Sequence, residues 1–272
     1  MSAAPQGPTL VALSDLVALD DEQVLDTRLS WLGDAVDEPQ RLGIFTDEEL
    51  LVLDGAPEPA TVPTPWTSRL ADGHTDTALS TALRGLLARG MVHVEQRADD
   101  AGVEVAAAPE LFALLTMRRH VTSVVVGERH VDGREDYAVL HEQRAGMWLI
   151  EYVDHRGLHE FVLATAEVAA AAMTVWCGAV PDRPVPGLDV TLTREQLAER
   201  PAELDQVAAA TAAVTITRID LSDPPTGTWS GVYTGPDGHY LSLATPEDAL
   251  RYVGADHAAV LEHWAATLGA PA

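Results

Sequence analysis

The chain is short of several things. It has one cysteine, Cys177, in 272 residues, which excludes an intramolecular disulfide. That cysteine closes the apolar run AAAAMTVWCG, with no histidine or cation beside it, so a buried inert thiol is expected rather than a nucleophile. Aromatic residues make up 5 %, lysine is absent, and 17 basic residues face 42 acidic ones for a formal net charge of −25. A surface that acidic repels phosphate backbones and anionic membranes, which sets the chain against non-specific nucleic-acid binding. It suits a partner with a basic face. No apolar run approaches the roughly 20 residues of a membrane span. MSAAPQGPTL has neither the basic start nor the apolar stretch of a signal peptide. A reducing cytoplasm is the expected location, and the Ala-, Asp- and Val-rich, lysine-poor composition matches a high-GC bacterium. Chemical signatures are missing too: there is no Gly-rich phosphate loop, no Gly-x-Ser-x-Gly elbow and no cysteine pair for zinc. No cofactor is expected.

What is present is a globular pattern. Apolar residues make up 47 %, and the length suffices for a sizeable core. LVALSDLVAL near the start has the apolar spacing of a strand or short helix, and TDEELLVL (Thr46 to Leu53) begins like a capped helix with acids in its first turn. The Pro-rich DGAPEPATVPTP interrupts. TDTALSTALRGLLARG then repeats Leu79, Ala82, Leu83, Leu86 and Leu87 at helical spacing and stops at Gly90 before a strand, MVHVEQ. A helix, Arg-Gly and a strand also describe a winged-helix DNA-binding element, a reading the surrounding acids oppose. Pro109 to Arg119 is a further helix. The period then changes to two, giving four strands: VTSVVVGERH, EDYAVLHEQ, MWLIEYV and LHEFVLAT. AEVAAAAMTVWCG returns to helix.

DHRGLHEFVL (Asp154 to Leu163) holds the densest reactive side chains. A metal or histidine-dependent enzyme would use Asp154, His155 and His159, with His141 across the strands. A turn glycine, Gly157, separates the histidines, so the four-residue spacing does not place them on one helical face. A structural hairpin is the plainer reading. Glu128, Asp132, Glu135 and Asp136 gather near another hairpin tip, where Ca²⁺ or Mg²⁺ binding competes with a solvated turn. Trp148, Trp176, Trp229 and Trp264 read as core.

The hairpin recurs. WLIEYVDHRGLHEFVLAT and WSGVYTGPDGHYLSLAT align Trp148 with Trp229, Tyr152 with Tyr233 and Gly157 with Gly238. Thr165 and Thr245 follow as helix caps, with Glu167 and Glu247 in the first turns. A helix-then-strand lead-in precedes each copy, and VPDRPVPGLDV links them. The expected fold is one α+β unit over 1–272: a central antiparallel sheet with quasi-two-fold halves, about 79–178 and 190–269, flanked by helices. Residues 1–65 stand outside the repeat.

The order ALRGLLARGMV, AAPELFALLTMRRHVTSVVV, LATAEVAAAAM and RPVPGLDVTLTREQLAE resembles the EspG family of type VII (ESX) secretion chaperones, over about Leu79 to Leu268. The resemblance implies a cytosolic, non-enzymatic protein of actinobacterial type that holds helical secretion substrates, PE/PPE-like or WXG100-like, in soluble form. It implies no nucleic acid, no membrane and no metal, and a monomer or homodimer. Partner contacts would fall on the exposed side of the sheet, on the hairpin tip Val131, Asp132, Gly133, Arg134, Glu135 and Asp136, and on a C-terminal helical region, Thr245 to Leu268, that includes Trp264.

Overall fold

In chain order the elements of the first half are α1 (Glu22–Asp37), β1 (Gln40–Thr46), α2 (Asp47–Asp54), α3 (Thr75–Ala88), β2 (Val92–Gln96), β3 (Val103–Ala107), α4 (Pro109–Arg119), β4 (Ser123–Val131), β5 (Arg134–Glu142), β6 (Met147–Val153), β7 (Leu158–Thr165) and α5 (Ala166–Trp176). Those of the second half are β8 (Asp189–Thr193), α6 (Arg194–Ala198), α7 (Asp205–Ala208), β9 (Ala212–Asp220), β10 (Thr226–Gly235), β11 (Gly238–Ala244), β12 (Ala249–Ala255) and α8 (His257–Leu268). The structure is a computed structural model and describes residues 22–54, 62–71, 73–96, 103–222 and 224–270. LVALSDLVAL and the middle of the Pro-rich stretch lie outside these residues.

Ten strands form one antiparallel sheet in the order β1-β7-β6-β5-β4-β9-β10-β11-β12-β8, and β2 pairs with β3 separately. The order is palindromic about the β4–β9 pair. From that centre each half runs outward through a meander to an edge strand that comes first in its own half of the chain. The fold is therefore the expected antiparallel α+β sheet with quasi-two-fold halves.

The two faces are covered differently. On one face α5 and α8 pack together over Val125, Ala138, Leu140, Ile150, Val214, Ile216 and Val232. Trp148 Nε1 donates to the Leu268 carbonyl at 3.1 Å, and Trp264 Nε1 to Cys177 Sγ at 3.3 Å, tying the helix pair to the sheet and to itself. On the other face α1 to α4 close over Phe45, Leu149, Phe161 and Leu163 at one end. At the other end α7 and the segment before it close over Tyr240, Leu250 and Tyr252. Covered on both sides, β6 reads as a near-continuous apolar run rather than an alternating one.

Three expectations need correction. Glu247 does not begin a helix. Thr245 to Asp248 form a turn with Asp248 at φ +55°, and the chain continues into β12. The C-terminal helical region is thus α8 alone. The sequence match between Trp148 and Trp229 is also one strand out of step with the fold: it sets β6 against β10, whereas the palindrome sets β6 against β11. Finally β1, unrecognised in the sequence, is the edge strand beside β7, with a bulge between Arg41 and Gly43.

The linker between the halves lies against β12. Gly254 donates its N–H to the Leu188 carbonyl at 2.8 Å, and a methyl group at Gly254 would overlap the Pro186 carbonyl. Gly254→Ala is expected to cost about 1–3 kcal/mol by overpacking. Urea denaturation checks this, and an unchanged midpoint would contradict the close approach.

Candidate functional site

DHRGLHEFVL forms the turn and second strand of the β6–β7 hairpin. Asp154 shapes the turn: its Oδ1 accepts from the Arg156 and Leu158 N–H groups at 2.8 and 3.1 Å, and its Oδ2 pairs with the Arg156 guanidinium. Gly157 sits at φ +75°, and a Cβ there would lie 2.6 Å from Trp66 Cβ and 2.8 Å from Asp47 Cγ. Only glycine fits, both for backbone conformation and for space. Its carbonyl accepts from Asp47 N–H at 2.9 Å, which docks the start of α2 onto the turn.

Beneath the turn lies a buried chain of charges. His159, Glu151 and Asp47 each have 0 % exposure. His159 Nδ1 meets Glu151 Oε1 at 2.7 Å, and its Nε2 meets Asp47 Oδ1 at 2.7 Å. Arg118 of α4 donates Nε to Glu151 Oε2 at 2.9 Å and a terminal nitrogen to Oε1 at 3.2 Å. His141 Nε2 also reaches Glu151 Oε2, at 3.0 Å, while its buried Nδ1 has no hydrogen-bond partner. Asp47 Oδ2 accepts from the N–H groups of Trp66 and Thr67 at 2.7 and 2.9 Å. Burial alone would raise the Glu151 carboxyl. The Arg118 charge and the bonds from His141 and His159 outweigh it and hold Glu151 well below the usual carboxylate range. Burial alone would lower His159, but the bonds and charges of Asp47 and Glu151 raise it. His159 is thus an imidazolium between two carboxylates.

The four side chains singled out for an enzyme do not share a point. His159 and His141 meet Glu151 in the closed interior, Asp154 is engaged with its own turn, and His155 lies at the surface. The His155 N–H donates to Asp136 Oδ1 at 3.2 Å and its Nδ1 lies 3.5 Å from the same atom. The buried chain exposes nothing to a substrate, so its geometry is that of a clamp. Cys177 is likewise inert: burial pushes its thiol up to about 12. Sequence reasoning found His141 and His159 but missed Asp47, Arg118 and Glu151. The available signal was one acid inside the apolar run WLIEYV.

The surface positions divide. At the β4–β5 tip Asp132 and Gly133 both take positive φ, 51° and 72°, the two-residue turn that an Asp-Gly pair favours. Asp132, Gly133 and Arg134 are exposed, and Val131, Glu135 and Asp136 half-buried. Asp136 Oδ2 accepts from Arg129 at 2.9 Å, and the Arg129 guanidinium also stacks 4.8 Å from the Trp176 ring centre. Trp264, expected among the partner contacts, is fully buried and presents nothing to a partner. Trp229, expected in the core, is 43 % exposed. It belongs to a row across the three central strands, Val126–Thr217–Trp229, next to a second row, Glu128–Thr215–Gly231. These rows lie between the two covered ends of the second face. Thr215 is exposed, and Val126, Thr217 and Ile219 are half-buried.

This palindromic antiparallel sheet with a helix pair on one face is an EspG-like fold. Over 70 % of this chain and 85 % of that one, the structure is similar to the Mycobacterium tuberculosis type VII secretion system chaperone EspG5, solved in complex with a PE25–PPE41 dimer, with a TM-score of 0.50 and 12 % identity. No protein-family model and no curated protein matches the chain.

The buried chain sets a pH window. His159 is raised, so its contribution is complete below its unfolded value of about 6.5 and is lost as pH climbs through the folded value. Glu151 is lowered, so its contribution is complete above about 4.3 and is lost as pH falls. Stability supplied by the chain is expected to peak between these limits. His159→Gln should flatten the alkaline fall in melting temperature, and an unaltered alkaline slope would reject the imidazolium assignment. Glu151→Gln leaves Arg118 and His159 without their shared anion and should cost about 3–5 kcal/mol in chemical denaturation. A loss below about 1 kcal/mol would mean that the pairing is weak.

Proposed function

We propose that this protein is a non-enzymatic chaperone that binds the apolar tip of a helical protein and keeps it soluble for export. The observation that carries the reading is the central strip of the sheet, where Thr215 and Trp229 stay exposed among the described residues. Thr217, Ile219 and exposed Trp229 form a floor between two helix-covered ends, Val126 at its edge packs against the Val62, Val124, Val139 and Val153 cluster, and Leu221, 42 % exposed, lies just past the end of β9. A helical tip laid on such a floor would bury apolar area without requiring the sheet to open. The hairpin tip Val131–Asp136 stands at one end of the strip and would contact the partner from the side. The net charge of −25 would keep the complex soluble. The fold supports the reading in a second way, because the similar chaperone was solved with a PE–PPE dimer bound. The same reading places the protein in the cytoplasm. No helix among the described residues is long and apolar enough to cross a membrane.

Capture from the host lysate, followed by mass spectrometry, tests the proposal. Recovery of a small helical secretion substrate at fixed stoichiometry is expected. Trp229→Glu should abolish that recovery while leaving the melting temperature within about 2 °C, as for surface substitutions. Undiminished capture by Trp229→Glu would remove the strip as the binding surface. Capture of no helical secretion substrate by the wild-type chain would overturn the chaperone reading itself.

A further inference from the structure

Glu128 and His130 are two apart on β4, so their side chains share a face, and Glu135 of β5 is the direct cross-strand partner of His130. The hairpin register therefore brings an imidazole and two carboxylates together at the tip. His130 Nε2 lies 2.8 Å from Glu128 Oε1 and 3.6 Å from Glu135 Oε1, and one ligand atom from each of the three lies within 4.8 Å of the others. Zinc–ligand bonds of about 2.0–2.2 Å set tetrahedral neighbours roughly 3.4 Å apart, so small rotations suffice to seat an ion. Asp132 and Asp136, weighed with Glu128 and Glu135 as a calcium or magnesium group, are not part of this arrangement. Asp132 is at the exposed turn, and Asp136 pairs with Arg129. The imidazole in place of a third carboxylate shifts the preference from calcium towards a borderline ion.

We infer that Glu128, His130 and Glu135 form an open three-ligand site for a divalent first-row transition ion, Zn²⁺ being the probe of choice, with water completing the coordination. The site lies at the rim of the open strip but stands whether or not that strip binds a protein. All three side chains are partly exposed, between 42 and 51 %, so their substitution leaves the core untouched.

The test is calorimetric titration of the chelator-stripped full chain with ZnCl₂, beside His130→Ala, Glu135→Gln and the surface control His74→Ala. One ion per chain is expected for the wild type and for His74→Ala. His130→Ala and Glu135→Gln should each weaken binding by an order of magnitude or more, and wild-type binding should weaken on acidification because the imidazole must be neutral. No saturable one-to-one binding in the wild type would overturn the site. So would equal binding by His130→Ala, and equal binding by Glu135→Gln alone would overturn the three-ligand assignment.

Discussion

Four buried charges of alternating sign, Arg118, Glu151, His159 and Asp47, fasten the first half of the molecule. Any one of them alone in the interior would cost several kcal/mol. In alternation each cation has an anion on it, and the carboxylate oxygens are used up. Glu151 Oε1 takes His159 and Arg118, Oε2 takes Arg118 and His141, and Asp47 Oδ1 takes His159 while Oδ2 takes two backbone N–H groups. The contacts run from α4 through β6 and β7 to α2 and on to the segment carrying Trp66. One network thereby fixes the docking of pieces far apart in sequence. It also fixes register: a one-residue slip of β7 would turn His159 to the opposite face, away from Glu151 and Asp47. Arg118 suits the task better than a lysine, because its planar fork spans both Glu151 oxygens.

The second half solves the same problem without charge. At the corresponding end Tyr240, Tyr252, Leu192, Leu250 and Val207 close the second face, with Tyr233 and Tyr252 ring centres 6.2 Å apart. The halves share strand order and helix placement, yet their second-face interiors are chemically different.

Periodicity made β4 to β7, α4 and α5 legible, and Thr165 caps α5 as its sequence suggests, accepting from the Val168 N–H at 3.3 Å. The failures have physical causes. TPED after β11 carries the same cap and acid as a helix start, but here those residues make a turn because ALRYVGA beyond it can pair with β11 on one side and β8 on the other. β1 was hidden because QRLGIFT lacks clean alternation and is bulged. The truer repeat lies elsewhere, in Thr46-Asp-Glu-Glu49 and Thr193-Arg-Glu-Gln196. Each follows an edge strand and closes a capping box, Glu49 reaching back to Thr46 at 3.2 Å and Gln196 to Thr193 at 2.8 Å. As for the candidate site, histidines were visible in sequence, but their anions came from α2 and β6 and only the fold brings those together. Burial of Trp264 and exposure of Trp229 depend on which face is covered, which composition does not encode.

That coverage follows from topology. Each half ends in a helix, α5 or α8, that folds back over the same face, where the two meet over the centre. Each half also has an edge strand, β1 or β8, followed by a capped helix that turns onto the opposite face. A palindromic order puts those edge strands at the far ends of ten strands, nearly 5 Å apart each. Helices tethered there, α2 at eight residues and α6 at five, are too short to reach the middle. Among the described residues, Thr215 and Trp229 in the central rows stay exposed, Val126, Glu128 and Thr217 are half-buried, and Gly231 is buried. Exposed Trp229 and Thr215 stand in the interval between the two helix-covered ends.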